Sequence, residues 1–321
     1  MGGGPPNAYE WHLADVLTPH LLALLVKDRL PYDESLPINF SHFGRDIFLT
    51  DPFGPLVREK VWPVLISLSK IGLEKMPDLT TFLPSPLDPE YPIQCLGLLL
   101  LLDHCPRLLF RGIDHRWTYA YFSELSQRVA ESWYSLPRGL RPDTWERWHD
   151  DLGAELDYWI GVRFWFGTPF VHSERLEHQE VAIKFTEETR TKVEEVTGQT
   201  DPYRAQRKEV LSDLYGFPRE YVRGPPQGGG VTREAWTFWM GMLMDIHKPI
   251  IDRFGRYPYL NAICGREWNG EEEEEEWVKA VHHFGVADED VARRVKEDVK
   301  LGRWTPLGRD SLTVHGLGAF S

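Results

Sequence analysis

Hydrophobic residues recur along most of the chain at the spacing of about 3.6 residues that places them on one face of an α-helix. The alternation typical of β-strands does not extend over a convincing length anywhere in the sequence. The segments with helical spacing are residues 13–26, 56–73, 92–102, 118–133, 144–164, 173–196, 202–214, 232–254 and 271–281. The pattern predicts that helix covers more than half of the residues and that β-sheet is negligible.

Stretches rich in proline and glycine separate these segments and predict loops at residues 83–92, 136–142 and 224–230. The glycine-rich start, residues 1–10, is expected to be a flexible lead. The acidic run at residues 271–276 is expected to face water as the first turns of a helix, because charge runs usually form solvated faces.

The composition narrows the classes of partner. Of the 321 residues, 42% are hydrophobic, which is enough for a large core. The net charge of −13 repels phosphate polymers and anionic lipid surfaces, so neither nucleic acid nor membrane is expected as a partner. The three cysteines lack CxxC spacing and predict a reducing, cytoplasmic location. The longest apolar run, residues 95–102, is shorter than the ~20 residues that a membrane helix needs.

Ionisable residues interrupt apolar sequence in three places, the first of which is LLLLLDHCPRLLFRG at residues 98–112. Asp103, Arg107 and Arg111 are four residues apart, so on a helix they share one face. Pro106 is expected to kink that helix just before Arg107. A structural ion-pair ladder and a ligand site fit this spacing equally well. Asp103 is predicted to pair with an arginine of the first or third motif, because a lone buried carboxylate is costly.

The second motif is PFVHSERLEHQE at residues 169–180. His172 and Glu174 lie at a predicted helix start, where a histidine beside a carboxylate can act as a general base or bind an anion. Gln179 is close enough along the helix to converge with them. A capping histidine with a solvated acid is an equally good interpretation. His172 and His178 are six residues apart and fall on different helix faces, so no metal site is expected.

The third motif is DIHKPIIDRFGRYPYLNAICGRE at residues 245–267. A helix end and a turn account for Gly255 and Pro258. They do not account for three arginines and an asparagine in otherwise apolar sequence, since buried guanidinium groups need a carboxylate, a helix C-terminus or a bound anion. The motif therefore favours a ligand site.

At these motifs the chain resembles a bacterial and fungal family that is known as domain of unknown function 924. The sequences that carry the resemblance are LLDHCPRLLFRG, PFVHSERLEHQ and HKPIIDRFGRYPYLNAICGR. The resemblance implies a helical fold similar to tetratricopeptide arrays. We therefore predict one all-α domain over residues 1–321, built as a superhelical stack of antiparallel helix pairs.

The chain also departs from the family pattern at several polar positions. His104 stands where the family has Gln, Val171 replaces a Glu, and Tyr259 and Leu260 replace a His-Arg pair. These departures imply a divergent, fungal member whose ligand differs from that of the bacterial proteins.

The preferred hypothesis is an enzyme that acts on a small polar or anionic metabolite by acid and base chemistry, in a pocket lined by arginine and histidine. No metal or nucleotide cofactor is expected, because the sequence lacks a phosphate-binding glycine fingerprint. The predicted catalytic residues are His172, Glu174, His247 and Asp103. The predicted substrate-binding residues are His104, Arg107, Arg111, Gln179, Arg253, Arg256, Tyr259, Asn261 and Arg266.

The four residues His172, Glu174, His247 and Arg256 are predicted to line one cavity. Replacing Arg256 by Ala is predicted to abolish function more than it destabilises the fold. Two other hypotheses stay open: a helical-repeat binding or scaffold protein, and a cyclase or transferase of fungal specialised metabolism. A small-molecule ligand is the expected partner, and a homodimer is compatible with the sequence.

Overall fold

The computed structural model describes residues 13–48, 55–268 and 272–314, so the predicted lead at 1–10 lies outside it. Of the described residues, 68% are helical and none forms a β-strand. The prediction of an all-α protein is confirmed, while the superhelical stack of helix pairs stays a prediction.

The described residues group into two compact units, the first of which contains residues 13–33, 55–154 and 305–314. Its longer helices are α1 (Pro19–Arg29), α2 (Pro55–Ser69), α3 (Tyr91–Leu109) and α4 (Ser123–Tyr134). Its short helical turns are Leu79–Phe82, Gly112–Asp114, His115–Trp117, Thr118–Phe122, Arg138–Leu140, Trp145–His149 and Ser311–Val314. Helix α1 approaches α3 so closely that a Cβ atom on Gly97 would lie 2.3 Å from the carbonyl oxygen of Leu22.

Helix α3 contains a π-helical turn at Leu100–His104, in which the N–H of Cys105 donates to the carbonyl of Leu100. The wider turn directly precedes Pro106, which lacks an N–H and would crowd the carbonyl four residues earlier. The helix continues through the proline to Leu109 and carries the first motif.

Helix α3 is also longer than its apolar run indicates. Its 19 residues are long and apolar enough to cross a membrane, and it is the one such helix in the described part of the chain. Of its most apolar window, 83% is buried inside the protein, as in the core helices of soluble proteins. Cytoplasmic location therefore stays a prediction.

The second unit contains residues 34–48, 155–268 and 272–304. Its longer helices are α5 (Leu156–Val171), α6 (Leu176–Thr197), α7 (Gly216–Arg223), α8 (Arg233–Asp245), α9 (Lys248–Phe254), α10 (Glu272–Ala280) and α11 (Glu289–Lys300). Its short turns are Phe40–His42, Phe43–Phe48, Pro202–Gln206, Arg207–Val210, Pro258–Leu260 and Asn261–Cys264. Every residue of α5 is buried, and α6 and α8 pack against it.

Several element boundaries differ from the sequence prediction. The helix predicted at 144–164 is interrupted at 150–155 by a turn in which Gly153 has a φ of +72°. Helices α7 and α11 were not predicted, because polar residues dominate both and leave only a narrow apolar stripe. Residues 83–90 form turns and bends, and α3 begins at Tyr91 with Pro92 in its first turn, a position that proline favours.

Candidate functional site

The arginines of the third motif are paired with carboxylates. Arg256 donates from Nε and Nη2 to the two carboxylate oxygens of Glu274, at 2.9 and 2.8 Å. The two side chains are 14% and 4% exposed. Asn261 donates to the same carboxylate at 3.0 Å. Glu274 belongs to the acidic run that was expected to face water, so that expectation is wrong for this residue.

Arg266 connects the second and third motifs. Its Nη2 donates to Glu174 Oε1 at 2.9 Å, and the same oxygen accepts the backbone N–H of Tyr257 at 2.8 Å. Arg253 forms an exposed pair with Glu273, at 2.6 Å between Nε and Oε1. The guanidinium partners that the sequence argument demanded are therefore glutamates, and this motif needs no bound anion to balance its charge.

The second motif folds around the C-terminal end of α5. The side-chain amide of Gln179 lies 2.6 Å from the carbonyl of Ser173 and 3.0 Å from that of Val171. It also lies 3.2 Å from the hydroxyl of Tyr257. Gln179 and Glu174 thus meet through Tyr257, a residue that the sequence analysis did not single out. His172 is half-buried at the end of α5.

His247 is buried in an aromatic environment. Its Nδ1 lies 2.9 Å from the carbonyl of Leu243, so Nδ1 carries a proton. Its ring lies 3.8 Å from that of Phe217, centroid to centroid, and 6.1 Å from that of Tyr257. Tyr259 packs against the rings of Phe217 and Trp277 in the same cluster.

Two cavities within the described residues are lined by side chains outside the predicted set. One in the second unit has a volume of about 20 Å³, enough for a single water molecule. It lies beside Arg163 and Trp236. One in the first unit has a volume of about 300 Å³ and lies beside Leu79, Leu125 and Arg128. A common cavity for His172, Glu174, His247 and Arg256 stays a prediction.

The first motif lies in the first unit. Asp103 is buried, and Arg107 Nη2 lies 3.3 Å from its Oδ1, which confirms the predicted pairing. The same nitrogen lies 3.3 Å from the hydroxyl of Ser123, at the start of α4. His104, which directly follows Asp103 in the sequence, is also buried.

Arg111 differs from the other motif arginines. Its Nη1 donates to the carbonyls of Leu108 and Phe110, at 2.8 and 2.6 Å, as basic side chains do at helix C-termini. Within the described residues, no carboxylate lies within 4 Å of its guanidinium, and Nε and Nη2 make no hydrogen bond. Half of this guanidinium is therefore available to a ligand.

The four-residue spacing of the first motif continues beyond it, through His115 and Tyr119 to Ser123. The Arg107 guanidinium lies 5.3 Å from the ring centroid of Tyr119, and the His115 ring stacks on the same tyrosine with 6.0 Å between centroids. The sequence analysis stopped at residue 112 and missed His115. The continued four-residue spacing is the sequence signal that could have identified His115.

His115 is held neutral by its surroundings. Burial, and then the charges of Arg111 and Arg107, lower the pKa of the imidazole to about 4. Its Nδ1 is buried and has no hydrogen-bond partner in the described part of the chain. Arg107, Arg111, His115 and Tyr119, here called the basic cluster, combine two fixed cations with one neutral proton acceptor.

A second buried charge cluster was also missed. Arg190 donates to Asp201 at 2.6 Å and to Asp245 at 2.5 Å, and Arg207 donates to Asp245 at 2.5 Å. Asp245 is the first residue of the third motif, and its partners lie on segments that show no pattern linking them to it. The described residues contain no group of three or more metal-ligating side chains.

These features define an all-α protein with a partly buried basic cluster in its first unit and a glutamate-paired arginine network in its second unit. The chain belongs to the family described as bacterial protein of unknown function (DUF924), whose model matches residues 85–281. The matched segment includes all three motifs. No curated protein and no solved structure matches the chain.

Proposed function

We propose that this protein is an enzyme that binds a small anionic metabolite at the basic cluster, where His115 transfers a proton. Arg107 and Arg111 hold the anion, and Asp103 orients Arg107. The observation that carries the proposal is that Nε and Nη2 of Arg111 have no hydrogen-bond partner among the described residues, while the charges of Arg111 and Arg107 both act on the neutral imidazole of His115. The proposal assigns the chemistry to the first motif and requires neither a metal nor a nucleotide.

The charge balance of the cluster favours an anion. Arg107 lies 3.3 Å from the carboxylate of Asp103, whereas no carboxylate of the described residues lies within 4 Å of the Arg111 guanidinium. The positive charge of Arg111 is therefore not balanced by an ion pair within the described residues. Charge-assisted hydrogen bonds to a carboxylate or phosphate are strong in partly buried surroundings. A bound anion would also favour the protonated form of His115, because it counters the two cations that now disfavour it.

Replacing Arg111 by Ala is expected to weaken binding of inorganic phosphate tenfold or more, which corresponds to about 1.4 kcal/mol or more. Isothermal titration calorimetry of the purified protein with phosphate measures this loss. Arg128→Ala is the matched control, because Arg128 lies on the neighbouring helix α4 but is exposed and paired with Glu124 at 3.0 Å. Equal affinities in the two variants, or no binding by the natural protein, would refute the proposed site.

The neutral state of His115 predicts a pH-dependent stability. Below pH 6.5 the unfolded chain takes up a proton at this imidazole, whereas the folded protein does so only near pH 4. The free energy of unfolding should therefore fall by about 3 kcal/mol between these pH values on account of this group. Urea unfolding of the natural protein and His115→Gln from pH 4 to 7 tests it. In His115→Gln the free energy of unfolding should decrease less as the pH falls, because the contribution of this imidazole is gone. Parallel stability profiles of the two proteins would contradict a neutral, buried His115.

A binding or scaffold protein is the second candidate function. The observation that favours it is the pairing of Arg253, Arg256 and Arg266 with glutamates, which gives the third motif a structural role. Native mass spectrometry of the purified protein separates the two candidates. A co-purifying small anion supports the enzyme, and a co-purifying protein supports the scaffold.

A further inference from the structure

The segment of residues 305–311, here called the C-terminal strap, lies against residues 111–117, which follow α3 and are here called the turn. The indole N–H of Trp117 donates to the carbonyl of Thr305 at 2.9 Å. The backbone N–H of Ile113 donates to Asp310 Oδ2 at 2.9 Å. The backbone N–H of Arg111 donates to the hydroxyl of Ser311 at 2.9 Å. Three donors of the turn are thus satisfied by the strap.

Asp114, which lies in the turn, accepts hydrogen bonds that the strap donates. Its carboxylate is fully buried and accepts five hydrogen bonds from the strap. The donors are the backbone N–H groups of Gly308, Arg309, Asp310 and Ser311, at 2.8–3.2 Å, and the Ser311 hydroxyl at 2.7 Å. The Ser311 hydroxyl therefore donates to Asp114 while it accepts from the backbone N–H of Arg111, so one atom connects these two residues of the turn.

Gly112 permits the close contact between the turn and the strap. It has a φ of +54°, which favours glycine, and a Cβ atom at this position would lie 2.0 Å from Asp310 Oδ2. A larger residue would force the strap and the turn apart.

We infer that the strap is a positioning element of the basic cluster, in which Ser311 and Asp114 hold Arg111 and His115 at their places in the turn. This inference rests on the proposed function. The physical reason is that Arg111 and His115 lie on opposite sides of a short segment whose N–H groups at Arg111 and Ile113 have their partners in the strap. Without the strap these groups lose their partners, and the turn is free to separate the guanidinium from the imidazole. The strap lies outside residues 85–281, which the family model matches.

The test compares Ser311→Ala and Gly112→Ala with Gly153→Ala. Gly153 is the matched control for Gly112, because it also has a positive φ, of +72°, but a Cβ atom there would meet nothing within 4 Å beyond its chain neighbours. Two quantities are measured in the full chain: the affinity for inorganic phosphate by calorimetry, and the titration of His115 by NMR. A thermal melt of each variant establishes that it is folded.

We expect Ser311→Ala and Gly112→Ala to weaken phosphate binding tenfold or more and to move the His115 pKa upward, toward its ordinary value, as the turn opens. Gly153→Ala should leave both quantities unchanged. If the folded Ser311→Ala variant binds phosphate as the natural protein does, the inference is overturned. If the natural protein binds no phosphate, the proposed function fails instead. The positioning role of the strap is then tested by the titration of His115 alone. A His115 pKa in Ser311→Ala equal to that of the natural protein overturns the inference.

Discussion

Replacing Arg256 by Ala is expected to lower the free energy of unfolding by about 3–5 kcal/mol, because truncation leaves the Glu274 carboxylate buried without its cation. Glu274 would keep the amide of Asn261, at 3.0 Å, as a hydrogen-bond partner, but an amide does not replace the charge of the guanidinium. Urea denaturation at pH 7 measures the change. From the sequence alone the opposite result was predicted, a loss of function with little loss of stability.

Arg253→Ala is the control for this experiment, because Arg253 lies on the same motif and is also paired with a glutamate. Its side chain is 51% exposed, and exposed pairs contribute about 0–1 kcal/mol. The two variants should therefore differ by several kcal/mol. A small effect of Arg256→Ala, together with lost ligand binding, would restore the third motif as the anion site.

Replacing Asp245 by Ala is expected to cost a similar 3–5 kcal/mol, because Asp245 is the common partner of two arginines. Its carboxylate is buried and accepts from Arg190 and Arg207, each at 2.5 Å, and from the hydroxyl of Thr186 at 2.6 Å. Without it, Arg190 stays buried with Asp201 as its carboxylate partner, and its second guanidinium nitrogen loses a charged acceptor.

The comparison for this variant is Asp252→Ala. Asp252 lies one helix further along the chain and pairs with Lys248 at 2.6 Å, but it is exposed. Chemical unfolding of both proteins should show a large loss for Asp245→Ala and a change of about 0–1 kcal/mol for Asp252→Ala. Similar values for the two would show that the buried cluster does not hold the second unit together.

Local spacing was sufficient to predict part of this structure. The all-α class follows from the helical recurrence of apolar residues, and the contact between Asp103 and Arg107 follows from their separation of four residues on α3. The helix end at Gly255, which has a φ of +67°, and the turn at Pro258 were also predicted correctly. The sequence did not show that the target of Arg256 is a glutamate.

Glu274 was misassigned because each member of an acidic run has the same local composition. The signal that separates it lies in the residues that follow: Trp277 and Val278 are buried, and they share a helix face with Glu274 three and four residues earlier. No comparable sequence pattern predicted the contact between the strap and Asp114. Asp114 and Ser311 are 197 residues apart, and no periodicity connects them.

If the basic cluster binds a small anion, inorganic phosphate should change the titration of His115, which NMR spectroscopy measures with and without phosphate. Without phosphate, His115 should titrate near pH 4, because burial and the charges of Arg111 and Arg107 disfavour the imidazolium. With saturating phosphate its pKa should rise toward 6.5, and this rise should be absent in Arg111→Ala. A His115 pKa that phosphate leaves unchanged in the natural protein would show that the basic cluster does not bind this anion.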